Sequence, residues 1–253
     1  MAKKYVIGNW KTHPITYKEA SQIFRGIVKA LPRGGSVEIG ICPPDIFIEP
    51  LTKLYRGKRI AFGAQNCARF ITGSHTGETL PTMLRGLGIQ YVVLGHSERR
   101  GEGETSKEVS EKIQGALKSR LTPIVCFGER DRDMHGEYLQ VLAEQLRETL
   151  MGVSAAQIKK CILAYEPVWA IGKSAADALD ANGVHQTMLY IRKVLVDMYG
   201  RNVGMKVRIL YGGSVEPANA DALIEESDGF LVGHASLVPE DFTTIIKTVV
   251  QHT

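Results

Sequence analysis

Apolar and polar positions alternate in blocks along the chain. Short apolar, β-rich runs recur, each followed by a polar or glycine-bearing loop and then by a longer amphipathic stretch. Eight runs read as strands: Lys4–Asn9, Val37–Cys42, Arg59–Gln65, Tyr91–Gly95, Pro123–Gly128, Cys161–Glu166, Val207–Gly212 and Gly229–Gly233. Between them, Tyr17–Leu31, Ser106–Lys118, Tyr138–Leu150 and His185–Met198 carry apolar residues near the helical period. Near-continuous apolar strands joined by crossover helices predict a parallel sheet buried on both faces. About eight such units in 253 residues fit an α/β fold closed as a (β/α)8 barrel. An open doubly wound sheet is the alternative, disfavoured because the units continue evenly from end to end. No low-complexity linker or composition break divides the chain, so one domain is expected over residues 1–253.

Composition narrows the function classes. The chain is 44% hydrophobic and 23% charged, ordinary for a protein with a sizeable core. The net charge of +4 is diffuse, and Lys3-Lys4 and Arg99-Arg100 are pairs rather than patches, so no nucleic-acid partner is expected. Cys42, Cys67, Cys126 and Cys161 have no CxxC spacing, and the seven histidines have no HExxH spacing, so no metal is expected. Cys42, Cys126 and Cys161 lie in or beside apolar runs and read as buried free thiols. That suits a reducing, cytoplasmic setting. The N-terminal apolar run is too short for a secretion signal, and no segment has membrane length.

In barrels of this kind the active site lies at the C-terminal ends of the strands. The residues there are Asn9, Trp10 and Lys11, then Gln65 and Asn66, then His96, Ser97 and Glu98, then Glu129 and Glu166, and finally the turns Tyr211–Val215 and Leu231–Ser236. Glu166 ends an apolar run, where a carboxylate is costly to desolvate unless something uses it. The string Val168-Trp169-Ala170-Ile171 that follows is unusually apolar for a loop. Together they suggest a base and a cover for it. His96 stands where a helix begins, and the positive dipole end there favours a neutral ring able to polarise a carbonyl. Lys11 could offset charge on an enolate, and Asn9 could donate to the same oxygen. The glycine turns, with Ser214 and the pair Gly233-His234, suit phosphate binding after strands seven and eight. Taken singly, each has a plainer reading: a rim ion pair, a capping histidine, a solvated lysine, a common turn. Gly172–Ser174 is no P-loop, because Pro167 stands where the first glycine is needed.

The motifs GNWK (8–11), GAQN (63–66), TGE (76–78), LGHSERR (94–100), CFGE (126–129), AYEPVWAIG (164–172), YGGSV (211–215) and LVGHAS (231–236) occur in the order in which the triosephosphate isomerase family has them. The chain resembles that family over essentially its whole length. The resemblance implies a single-domain TIM barrel that interconverts dihydroxyacetone phosphate and D-glyceraldehyde 3-phosphate. In that family a glutamate base works with a neutral histidine, which points to Glu166 and His96. Lys11 and Asn9 would stabilise the enediolate. Glu98 would hold Lys11, with Ser97 and Cys126 supporting. Gly172, at the end of a closing lid, would offer its N–H to the phosphate beside Ser214, Gly233 and His234. No cofactor would be needed.

The resemblance also implies a homodimer. The long connection Gln65–Glu78 resembles the family's inserted loop, with Thr76, Gly77 and Glu78 approaching a partner's site. The chain departs from the family's pattern at the lid hinge Lys173-Ser174-Ala175, at Thr12-His13-Pro14 and at His234, where many members have glycine. At residue level, another phosphosugar barrel enzyme and a non-catalytic phosphate-binding protein remain as alternatives. The first usually needs a metal set or paired aspartates. The second has no need of Asn9, Lys11, His96 and Glu166 together.

Overall fold

A computed structural model of the protein describes residues 3–34, 36–172 and 180–253. Eight strands, β1 (Lys4–Asn9), β2 (Val37–Cys42), β3 (Ile60–Ala64), β4 (Tyr91–Leu94), β5 (Thr122–Phe127), β6 (Ile162–Tyr165), β7 (Arg208–Tyr211) and β8 (Gly229–Val232), pair in chain order, and β8 closes onto β1. The pairings are parallel throughout. The expected α/β barrel is therefore observed.

Around it stand α1 (Tyr17–Ala30), α2 (Asp45–Leu54), α3 (Pro81–Gly86), α4 (Ser97–Gly101), α5 (Ser106–Lys118), α6 (Glu137–Thr149), α7 (Ala155–Ile158), α8 (Ala181–Tyr199), α9 (Arg201–Gly204), α10 (Ala220–Ile224) and α11 (Pro239–Gln251). Local chemistry sets their starts. Thr16 with Glu19 and Thr105 with Glu108 form reciprocal capping boxes before α1 and α5. Asp180 accepts from Gly183 N at 2.8 Å, which starts α8 before His185, where the apolar periodicity begins. Ahead of α6, the Asp133 carboxylate accepts from the amides of His135, Glu137 and Tyr138 at 2.7, 3.0 and 2.7 Å.

Two apolar layers hold the barrel. Inside it, Tyr5, Ile7, Tyr91, Val93, Ile124, Ile162, Leu210 and Leu231 fill the centre. Outside it, residues such as Val6, Ile41, Val92, Leu163 and Phe230 pack against Phe24, Ile113, Leu146, Ile191 and Phe242 of the helices. Each such fully buried side chain contributes about 1.5–3 kcal/mol relative to exposure. All four cysteines are buried and unpaired, Cys67 included. With its interior filled, the barrel leaves the strand ends as the place for chemistry.

Candidate active site

Lys11 follows β1 with φ of 52°, a left-handed conformation rare for a lysine. Side chains hold it there. Its N–H donates to Asn9 Oδ1 at 3.1 Å, and its carbonyl accepts from Gln65 Nε2 at 2.7 Å. Gln65 also donates to Cys42 O at 3.0 Å, so a residue expected with the dimer loop also reaches inward to brace the first loop. Lys11 Nζ then meets Glu98 Oε1 at 2.6 Å. Burial opposes the Glu98 charge, but the hydrogen bond and the charge of Lys11 outweigh it and hold the carboxyl below the usual range.

His96 is the N-cap of α4. Its Nδ1 accepts from Glu98 N at 3.3 Å, which assigns the ring proton to Nε2. That nitrogen lies 3.4 Å from Glu166 Oε1. Glu166, only 1% exposed, places its other oxygen on the Ser97 N–H at 3.0 Å. Beside it, burial first, then the Glu166 charge and a hydrogen bond to it, push the Cys126 thiol well above its ordinary range. Cys126 therefore stays a neutral neighbour of the carboxylate.

Two glycines make room for Glu166. A Cβ at Gly128 would fall 1.6 Å from the Glu166 carbonyl oxygen, and one at Gly212 would fall 3.0 Å from its Cγ. The base is thus seated between the ends of β5 and β7, which flank β6 in the sheet.

The expected cover begins as a 3-10 turn, Val168–Ala170. Trp169 Nε1 and Tyr165 OH both donate to Glu129 Oε1 at 2.9 Å. Burial raises the Glu129 pKa in spite of these bonds. Arg132 lies 5.8 Å from the centre of the Trp169 ring and 4.4 Å from that of Tyr138. At the other end of the turn, Ser214 Oγ donates to Ala170 O at 3.1 Å, tying the cover to the turn after β7. Glu129 was visible in the sequence only as a rim residue, and Arg132 carried no signal at all. The hinge residues Lys173, Ser174 and Ala175 lie outside the described residues.

Asn9, Lys11, His96, Glu166, Gly172, Ser214, Gly233 and His234 all line one pocket of about 540 Å³. Glu98, Ser97 and Cys126 do not line it but touch residues that do, Glu98 through Lys11 and the other two through Glu166. Thr76, Gly77 and Glu78 are exposed and do not line it. Among the described residues, no three His, Cys, Asp or Glu side chains gather as a metal site. The arrangement offers a buried carboxylate, a neutral imidazole N–H and an ammonium group around one cavity, with glycine turns along another wall. It can abstract a proton next to a carbonyl and stabilise the oxyanion that forms.

A family model described as triosephosphate isomerase matches residues 4–249. Proteins named triosephosphate isomerase from Carboxydothermus hydrogenoformans and Clostridium botulinum (strain Langeland) are 42% and 41% identical to it, over 252 and 253 residues. Each alignment spans 98% of this chain and 99% or 100% of the relative. A crystal structure of triosephosphate isomerase from Bartonella henselae superposes with a TM-score of 0.84 at 32% identity, covering 97% of this chain and 98% of that one. With a barrel of this topology and a strand-end pocket of this make-up, the chain belongs to the triosephosphate isomerase family.

Proposed function

We propose that the chain interconverts dihydroxyacetone phosphate and D-glyceraldehyde 3-phosphate through an enediolate. The observation that carries the roles is the facing pair His96 Nε2 and Glu166 Oε1, 3.4 Å apart in the pocket that Lys11 also lines. Glu166 removes a proton from the carbon next to the substrate carbonyl and returns it to the neighbouring carbon. The His96 Nε2–H donates to the carbonyl oxygen and then serves the second oxygen. Lys11, held by Glu98, and Asn9 offset the charge of the enediolate. Gly172, Ser214, Gly233 and His234 form the phosphate end. Closing the apolar segment Val168–Ile171 keeps water from an intermediate prone to lose phosphate.

The working unit in this reading is a homodimer of one-domain barrels. Support comes from the exposed tip Thr76–Glu78 and from large apolar side chains on the neighbouring segments, with Ile15 and Ile46 each 76% exposed. No described helix is long and apolar enough to cross a membrane. Four unpaired cysteines accord with a reducing cytoplasm. A coupled assay of purified protein with glyceraldehyde 3-phosphate tests the activity. Phosphate binding without turnover would point instead to a binding protein that keeps the fold.

A further inference from the structure

Arg132 takes no part in the proton transfer and does not line the pocket, yet it touches both sides of the cover. It lies in the loop after β5, three residues past Glu129. The centre of its guanidinium stands 5.8 Å from the centre of the Trp169 ring, in the turn with which the cover begins. The two N–H groups of its Nη2 donate to Tyr138 OH on α6 at 3.0 Å and to Thr187 Oγ1 on α8 at 3.3 Å. In chain order α8 is the next described element after the turn Val168–Ala170, so Thr187 stands on the far side of the cover. Thr187 Oγ1 in turn donates to Gly183 O at 2.9 Å, in the first turn of that helix.

The way Arg132 spends its donors is informative. Its side chain is 18% exposed, and its counter-charge, Glu129, is 1% exposed. The two are not docked face to face. Arg132 Nη1 lies 3.6 Å from Glu129 Oε1, which already accepts from Trp169 and Tyr165. Both Nη1 and Glu129 Oε2 are buried, and neither makes a hydrogen bond to the described residues. A pair selected for stability alone would close that gap, because unmade buried hydrogen bonds are costly. Here the fork is directed instead at α6 and α8. A guanidinium suits that span, since it is planar, permanently charged and fixed in the directions of its donors.

We infer that Arg132 is a positioning residue that ties the two sides of the cover together, so that the turn Val168–Ala170 and the start of α8 shift as one body when the cover closes. The inference rests on the reading of Val168–Ile171 as a lid over an enediolate site. With the two sides tied, closure is a single movement. With them separate, the first turn can swing while α8 stays behind, and the site is sealed incompletely. An enediolate in a leaky site has a competing fate. One of its oxygens re-forms a carbonyl, the C–O bond to the phosphate breaks, and inorganic phosphate leaves with the electron pair, giving the enol of a ketoaldehyde. Loss of Arg132 should therefore show as leakage and slow turnover rather than as loss of proton abstraction.

Three variants separate the contacts. Arg132→Met keeps the stem and removes charge and donors, and Arg132→Lys keeps the charge without the fork. Thr187→Val keeps the shape of the side chain and removes the α8 acceptor, leaving Arg132, Glu129 and Trp169 in place. Circular dichroism checks that each folds, and Thr187→Val decides the matter if the arginine variants do not. Inorganic phosphate released per isomerisation should rise about tenfold in Arg132→Met and in Thr187→Val, the factor that one charge-assisted hydrogen bond is worth. Arg132→Lys should leak like Arg132→Met. The double variant should leak no more than Arg132→Met, because both changes cut one contact. Hydrogen exchange gives a readout independent of turnover. Saturating glycerol 3-phosphate should slow exchange at Trp169–Ile171 and at Ala181–Val184 in the natural chain, and at the first segment only in Thr187→Val. Natural leakage in Thr187→Val, or protection of both segments in that variant, would overturn the inference. So would a natural chain in which the ligand protects one segment alone. A natural chain without turnover removes the isomerase reading, and the exchange result still decides this one.

Discussion

The Ser97 backbone N–H donates to Glu166 Oε2 at 3.0 Å, so the helix that His96 caps also grips the carboxylate facing His96. Reaching a substrate carbon means leaving that donor. Ser97 is the first residue of α4, a position where proline fits without breaking a helix. Ser97→Pro should remove the donor and crowd the carboxylate off its rest position. An enediolate-like inhibitor should then bind as well as before or a few-fold more tightly. A tenfold loss of its affinity would mean that the Ser97 contact is not a resting hold.

Glu166→Gln keeps the shape of the side chain and removes the base. Turnover should fall by about 10²–10⁴-fold, with a much smaller change in affinity for a phosphate-bearing inhibitor. Near-normal kcat would assign the proton transfer to another group.

Closure of the cover should be visible in Trp169. Its indole donates to Glu129 at 2.9 Å, and Arg132 stacks over its ring. Saturation with a phosphate-bearing inhibitor should change its emission and its susceptibility to protease. The response should vanish in Trp169→Phe, and a natural chain with no response would argue against closure.

Assembly has a direct measurement. Sedimentation at micromolar concentration should report twice the chain mass. Replacing Thr76 with Arg at the exposed loop tip should shift the equilibrium toward monomer and lower activity together. A natural chain that is monomeric and fully active would refute the dimeric reading.

Acid should loosen the approach to α6. Desolvation is the largest single effect and works against the Asp133 charge, but the amides of Tyr138, Glu137 and His135 together outweigh it and lower its pKa to about 2. The folded value is below the unfolded one, near ~3.9, so the carboxylate's contribution is complete above about pH 4 and is lost as pH falls toward about 2. Asp133→Ala should melt earlier than the natural chain at neutral pH, and the gap should narrow at the acid end. A gap independent of pH would remove the carboxylate from the account.

The strands were legible because both of their faces are buried, and an apolar run with no polar alternation has few other uses. The sequence places strand ends one residue long at Gly95, Gly128, Gly212 and Gly233, where small character carries on into the turn, and at Glu166, whose extended backbone before Pro167 continues the run. Helices α4, α7, α9 and α10 span four or five residues each, too short to show a period. The rim chemistry was legible for the same reason as the strands, since polar residues interrupt the apolar pattern where the barrel ends. Contacts across the chain were not. Glu129 meets Tyr165, 36 positions away, and Trp169, 40 away, and no local pattern announces such a junction. Cys67 lacked an apolar run of its own, yet the loop after β3 buries it.

Gly128 and Gly212 hold no proton and carry no charge, yet they bound the space in which Glu166 sits. Alanine at 128 would collide with backbone, which cannot rotate aside, whereas alanine at 212 would press on a carbon that moves with the carboxylate. A survey of every single-residue replacement, scored by growth dependent on this enzyme, should therefore find two silent neighbours of the base behaving differently. Residue 128 should tolerate nothing. Residue 212 should tolerate alanine as a slow enzyme, a defect in timing rather than in folding.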